Sequence, residues 1–224
     1  MKKYVIIGVD GLLNDICDVI HALGHQVSAV FQNMPERRVA KTLTISERIE
    51  LLGYPVELHT SLDDFSFNPE LHYIQALNSP HKYKMVEQLK ADYDIKFDSL
   101  IHPLAHIGSN VTIGEGVFVN ALTSIAPNAH IDDFCSINRS AAIGHDAYIG
   151  KYTRIGPRVA LAGSTIIGSH CSISISATVI DCVEIGDWSE IGAGSIVNKN
   201  IPLGKVAAGM PARVIKSNNR MPAD

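Results

Sequence analysis

Between Ile101 and Leu203 every sixth residue is aliphatic: Ile101, Ile107, Ile113, Val119, Ile125, Ile131, Ile137, Ile143, Ile149, Ile155, Leu161, Ile167, Ile173, Val179, Ile185, Ile191, Val197 and Leu203. Two residues before each stands something small or β-branched, as at Ala105, Val111, Thr123, Cys135, Ala147 and Cys171. The residue after is often Gly, Asn or Asp, as at Gly108, Gly114, Asn120, Asp132 and Gly144. A strict period of six fits neither the 3.6 of a helical stripe nor simple strand alternation, so it belongs to a repeating unit of one short strand and one corner. Three units close a coil of a parallel β-helix, and coils stack at about 4.8 Å, the ordinary inter-strand distance. The aliphatic residue points into the prism and the small residue two before it leaves room beside it. The Gly and Asn after the aliphatic position are expected to supply φ > 0 at the corner.

Ahead of the comb the pattern changes. Lys3 to Ile7 reads as a buried strand, Gly8-Val9-Asp10-Gly11 as a turn, and Asp15, Ile16, Val19, Ile20 and Leu23 mark a helix ended by Gly24-His25, before a second strand from Gln26 to Phe31. In such a β-α-β unit the first turn is where a Rossmann-like half-domain holds a phosphate. Only Gly8 and Gly11 of that fingerprint are present, so a tight turn that needs glycine is the plainer reading. Glu36 to Glu57 is charged and ambiguous, with a helix predicted around Ser46 to Leu52. His72 to Leu77 predicts a strand, Asn78-Ser79-Pro80 a turn, and Lys82 to Tyr93 an amphipathic helix. The expected fold is α/β + β: a small Rossmann-like α/β domain at 1–98, a β-helix at 99–204, and a tail at 205–224 that covers the last strand edge.

Composition narrows the function. A net charge of −4 over 224 residues offers no basic field for nucleic acid. No apolar run is long enough to cross a bilayer, and Met1-Lys2-Lys3 does not open a signal peptide, so a cytoplasmic protein without a membrane partner is expected. Cys17, Cys135, Cys171 and Cys182 have no CxxC spacing, and Cys135 and Cys171 fall on inward positions as small apolar fillers.

The uninterrupted comb leaves no long loop for a site, which points to corners, flat faces and grooves between subunits. Five histidines lie along it, His102, His106, His130, His145 and His170, and no two share a column in a count of eighteens. His145 is set apart by its neighbours. It lies in Asn138-Arg139-Ser140-Ala141-Ala142-Ile143-Gly144-His145-Asp146, followed by Pro157-Arg158-Val159-Ala160-Leu161-Ala162-Gly163. These stretches resemble the Asn-x6-His segment with its following acid, and the Pro-x-x-x-Leu-Ala-Gly segment, of the hexapeptide-repeat sugar acetyltransferases of the bacillosamine, perosamine and sialic-acid pathways. The tail Gly209-Met210-Pro211-Ala212-Arg213 is similar to that family's Gly-Asn-Pro-Ala followed by Lys or Arg.

The resemblance spans essentially the whole chain. It implies a left-handed β-helix, a homotrimer with sites between subunits, and acetyl-CoA-dependent N-acetylation of a UDP- or dTDP-linked amino sugar for lipopolysaccharide or other surface glycan. It assigns His145 as general base with Asp146 beside it. An amine attacking a thioester must shed a proton, an imidazole titrating near neutrality is matched to take it, and an adjacent carboxylate strengthens the base. Gly163 stands eighteen residues after His145, hence one coil on in the same column, and its N–H is a candidate oxyanion donor. Direct transfer is implied, and no Ser or Cys beside His145 suggests an acyl-enzyme.

The family pattern carries acetyl-CoA contacts onto Asn138, Arg154, Gly163, Ile175 and Ala193, with Arg154 standing where some relatives have histidine. It carries sugar-nucleotide contacts onto Asp10, Gly11, Leu12, Gln32, Asn33, Asn78 and Ser79. There the match is poorest: the family has Gly-x-Gly-Gly-His or Gly-x-Ser-Gly-His where this chain has Gly8-Val9-Asp10-Gly11-Leu12. An Asp would repel a pyrophosphate and Leu cannot donate a hydrogen bond. No metal is expected. The competing readings are O-acetylation of a sugar hydroxyl or acylation of another small amine, a zinc hydratase with histidines meeting across a subunit interface, and a non-catalytic scaffold.

Overall fold

The computed structural model describes residues 1–9, 11–33, 42–62, 65–77, 79 and 81–222. Two compact units emerge, Met1–Leu100 and Ile101–Asp224.

The first unit runs β1 (Lys3–Ile7), α1 (Leu13–Ala22), β2 (Gln26–Phe31), α2 (Ile45–Glu50), β3 (Glu57–His59), β4 (His72–Gln75) and α3 (Lys82–Tyr93). The strands form a parallel sheet in the order β3-β2-β1-β4. Val5, Ile6, Ile7, Val30 and Ile74 are fully buried, as suits strands covered on both faces. The stripe Leu13, Ile16, Val19 and Ile20 seats α1. α2 starts one residue before the predicted position because Thr44 and Glu47 form a reciprocal capping box. β3, at the end of the charged stretch, is not among the strands that the sequence predicts. It is a three-residue strand with two exposed positions, too short to show a period. β4 stops two residues early, where the Gln75 side chain turns back to accept from the Leu77 N–H at 3.0 Å.

In the second unit the comb becomes a ladder of two-residue strands. They run from β5 (Leu100–Ile101) to β21 (Ile196–Val197), each an aliphatic residue and the one before it. From β5 to β18 each strand pairs in parallel with the strand eighteen residues on, as Ser136 does with Arg154 and Ala142 with Ala160. Three sheets result, which we call the first, second and third faces in the order the chain visits them. The aliphatic positions from Val119 to Val197 are buried and form one axial core with the small inward residues.

Two expectations are corrected. The glycines after the aliphatic positions do not have positive φ. Left-handed backbone falls two residues later, at Asn110, Leu122, Asn128, Phe134, Ser140 and Asp146 among others. The glycines serve close approach instead: a Cβ on Gly150 would lie 2.7 Å from the Ser169 nitrogen, and one on Gly108 2.7 Å from the Pro127 nitrogen. Leu203 is not the last inward residue, being 57% exposed. The closing coil is two residues shorter, so that Ile201, 5% exposed, bridges to Ile185 in its place.

The inward polar residues are more than fillers. Along the third corner Cys135, Thr153 and Cys171 donate to the carbonyls of Gly150, Gly168 and Gly186 at 3.1, 2.7 and 3.2 Å, each one coil on. The same corner carries outside it a stack of rings, Phe134, Tyr152, His170 and Trp188, with centroids 5.3, 5.1 and 4.1 Å apart. His170 thus stacks on other aromatics rather than on another histidine. At the far end a hairpin of β22 (Lys205–Gly209) and β23 (Ala212–Ser217) extends the first face, β22 pairing with Glu190 and Ile191. Among the described residues no helix is long and apolar enough to cross a membrane.

Candidate active site

His145 and Asp146 sit on the second corner, between the strands Ala142–Ile143 and Tyr148–Ile149. Asp146 takes the left-handed position with φ 58°, a conformation that Asp and Asn tolerate better than most residues. This geometry turns the two neighbouring side chains onto each other, and His145 Nδ1 lies 2.7 Å from Asp146 Oδ2. Both are open to solvent, at 66% and 52% exposure. The hydrogen bond from His145, and then the one from Asn128, hold the Asp146 carboxyl below its usual range, so it stays ionised. An ionised carboxylate only accepts, which places a proton on Nδ1, so that in the neutral ring the lone pair is on Nε2.

Gly163 lies against that ring. A Cβ there would fall 2.5 Å from His145 Nε2, so only glycine admits the imidazole in this position. The two corners are tied by the Ser164 N–H donating to the His145 carbonyl at 2.8 Å. Gly144 does the matching service above, since its Cβ would meet the Gly163 nitrogen at 2.5 Å. The Gly163 N–H has no hydrogen-bond partner among the described residues, while its carbonyl accepts from Cys182.

The other expected acetyl-CoA residues are distributed over the prism. Asn138, Ile175 and Ala193 lie on the first corner, where Gly194 N–H donates to the Ile175 carbonyl at 2.9 Å. Asn138 Oδ1 accepts from Asn120 Nδ2 at 3.3 Å and Arg139 N–H at 2.7 Å. Arg154 is on the first face, bonded to Ser172 Oγ at 2.8 Å. Only Gly163 is brought directly against His145 within one chain.

In the α/β unit the chain builds outward from β1 to β3 and returns to the other side of β1, so the strand order reverses between β1 and β4. Ligands of such sheets bind outside the carboxyl ends at this reversal. Gly8 sits there with φ 105°, and its Cβ would meet Leu77 Cδ2 at 2.5 Å, so its first duty is packing. Gly11 follows in the turn, and Leu12, 4% exposed, is a core residue that offers a ligand no side chain. α1 has no side-chain cap at its N-terminus. Asn33 Oδ1 accepts from Val9 N–H at 3.2 Å, and Ser79 Oγ from His81 N–H at 3.1 Å. Gln32 and Asn33 line a cavity of about 180 Å³ with Ile7, Phe31, Thr60 and Ser61. Asp10 and Asn78 lie outside the described residues. A larger cavity of about 410 Å³ opens between α1 and α2, lined by Leu13, Cys17, His21 and Arg48.

Two contributors are not among the residues that the sequence singles out: Gly144, whose type there suggests a turn former, and Asn128, whose Nδ2 donates to Asp146 Oδ1 at 3.1 Å. Its signal was present, because it stands eighteen residues before Asp146 in the same column. Among the described residues no group of three or more His, Cys, Asp or Glu is placed to hold a metal ion.

Fold and sequence together define the class: the chain is a hexapeptide-repeat protein with the left-handed β-helix architecture of the sugar acetyltransferases. Over nearly its whole length it is similar to PerB, from Caulobacter crescentus, solved with CoA and GDP-perosamine, with a TM-score of 0.80 and 27% identity over 96% of this chain and 98% of that one. The acetyltransferase domain of PglB from Neisseria gonorrhoeae, in complex with acetyl coenzyme A, gives 0.81 and 25% over 96% and 99%. Shorter matches reach galactoside O-acetyltransferase of Escherichia coli, 65% identical over 37 residues, and the bifunctional protein GlmU of Rubrobacter xylanophilus, 55% over 42. These cover 16% and 19% of this chain and only 18% and 9% of those proteins. No protein-family model matches the chain.

Proposed function

We propose that the protein is an acetyl-CoA-dependent N-acetyltransferase acting on the amino group of a nucleotide-linked amino sugar, with His145 as general base. The observation that carries this reading is the His145–Asp146 pair, with Nε2 presented over Gly163. Asp146 holds the proton on Nδ1, so His145 takes the amine proton at Nε2 as the nitrogen attacks the thioester carbonyl. The Gly163 N–H is a donor for the oxyanion that develops there. As the carbon–sulfur bond breaks, the imidazolium returns its proton to the departing thiolate, which balances the exchange. Asn138, Arg154, Ile175 and Ala193 are assigned to acetyl-CoA, with the Arg154 cation suited to a phosphate.

The acceptor's nucleotide is assigned to the carboxyl ends of β1, β2 and β4, around Gly11, Gln32, Asn33 and Ser79, with Asp10 and Asn78 completing the set. Because Leu12 is buried, any contact there comes from backbone. The PerB complex carries a GDP-linked sugar, which adds GDP to the UDP and dTDP carriers expected from the sequence. The exposure of His145 and Asp146 supports a homotrimer in which a neighbouring subunit walls the site. Four free cysteines fit a reducing, cytoplasmic setting, and surface-glycan synthesis is the assigned role. O-acetylation is the second reading, favoured by the 37-residue match to galactoside O-acetyltransferase, since the same base serves a hydroxyl.

The test is thiol release from acetyl-CoA with GDP-, UDP- and dTDP-linked amino sugars, beside the corresponding hydroxyl sugars. His145→Ala is expected to lower kcat by about 10²–10⁴-fold in a folded protein. Near-normal turnover in that variant would sink the mechanism, and release with the hydroxyl sugars alone would replace N- by O-acetylation.

A further inference from the structure

Asn110, Asn128 and Asp146 occupy one column of the second corner, all in left-handed backbone with φ 59°, 62° and 58°. Their side chains form a directed ladder. Asn110 Nδ2 donates to Asn128 Oδ1 at 3.3 Å, and Asn128 Nδ2 donates to Asp146 Oδ1 at 3.1 Å. Ionised Asp146 can only accept, so the Asn128 amide must turn its NH2 toward it, which leaves Oδ1 for Asn110. The corner geometry does not itself call for asparagine, because Leu122, Ser140, Tyr152, Arg158 and Cys182 hold the same conformation at equivalent positions.

Asp146 is half exposed, and the terminal torsion of an aspartate is broad. One oxygen bonded to His145 Nδ1 leaves the carboxylate free to swing into water. A second oxygen fixed by Asn128 stops that rotation. We infer that Asn128 is a positioning residue for the transfer reaction: it locks Asp146 in the orientation that keeps the proton on His145 Nδ1 and the lone pair on Nε2, over Gly163. This rests on the reading of His145 as general base.

Asn128→Gly keeps the left-handed corner without strain while removing the amide. It is expected to lower kcat by about 10- to 100-fold with KM for acetyl-CoA within about two-fold, the split a misaligned base produces. Its melting temperature should stay near that of the wild type. In an Asp146→Asn background the same change should add less than about two-fold, because Asn128 acts through Asp146. Multiplying losses, or a wild-type kcat in Asn128→Gly, would overturn the inference.

A readout independent of any acceptor is the ring-nitrogen signature of His145 in protein carrying isotope-labelled histidine, its resonances identified by their absence from His145→Ala. Asn128→Gly should let the Nε2–H tautomer of the neutral ring gain at the expense of Nδ1–H, as the carboxylate that fixes the proton on Nδ1 swings free, and leave the other histidines in place. An unchanged tautomer ratio would refute the positioning role. The two readings fail separately: an active His145→Ala removes the base itself, whereas an inactive His145→Ala beside an unaffected Asn128→Gly removes only the role of Asn128.

Discussion

At the scale of single residues the pair His145–Asp146 was legible because its members are adjacent in the chain, and one turn conformation suffices to bring them together. Gly163 was read as a donor of its N–H, but its missing side chain is equally necessary. Gly163→Ala puts a methyl 2.5 Å from Nε2 and must displace the imidazole. Overpacking of this kind costs about 1–3 kcal/mol, less on an open corner where the ring can swing outward. The outward swing instead costs catalysis, and kcat should fall by about 10²-fold. Thermal unfolding beside steady-state kinetics separates the two effects. The cysteines make a second prediction. Burial pushes the Cys17 and Cys171 thiols up to about 12, while Cys182 is exposed on its corner. Iodoacetamide at neutral pH, read by mass spectrometry, should label Cys182 first and reach Cys135 and Cys171 only on unfolding.

For the element, the six-residue unit, the period was plain and its internal chemistry was not. Both the glycines and the left-handed residues lie at corners, and sequence alone merged them into one explanation. They answer different constraints. The glycine stands where the next coil's backbone passes within contact distance, whereas the left-handed position two residues later faces outward and accepts Phe, Ser, Tyr, Arg or Cys. Gly150→Ala, with its Cβ 2.7 Å from the Ser169 nitrogen, should therefore lower the melting temperature. Ser176→Gly, at φ 57°, should leave it unchanged or raise it, since it relieves a strain of about 1–2 kcal/mol against some gain in unfolded-state entropy. Equal losses in both variants, measured by calorimetry, would refute this division of roles. The ladder of Cys135, Thr153 and Cys171 hydroxyls and thiols was hidden for a related reason: its carbonyl partners stand fifteen residues away.

For the whole molecule the β-helix has ends, and the chain closes one of them. β22 and β23 pair onto the strand at Glu190–Ile191 and continue the first face past the last full coil. Removing the chain from Lys205 onward uncovers that edge and takes away Ala207, which is buried in the axial core and pairs with Ile191, so the truncated protein should melt lower and aggregate, as light scattering during a thermal ramp would show. A truncated chain that stays dispersed with an unchanged midpoint would mean the hairpin is dispensable.

From the sequence by itself came the coil, because a period of six repeats too often to have another cause, the β-α-β order of the first unit, and the pair at His145 and Asp146. The tertiary structure alone decided how closely residues meet across the stack: the imidazole so near Gly163 that a side chain there is excluded, Asn128 bonded to the carboxylate, and Ile201 rather than Leu203 beneath Ile185. The physical reason is that contacts between coils depend on how each corner turns and how closely successive backbones pass. A periodic pattern records which residues face inward, but carries neither of those distances.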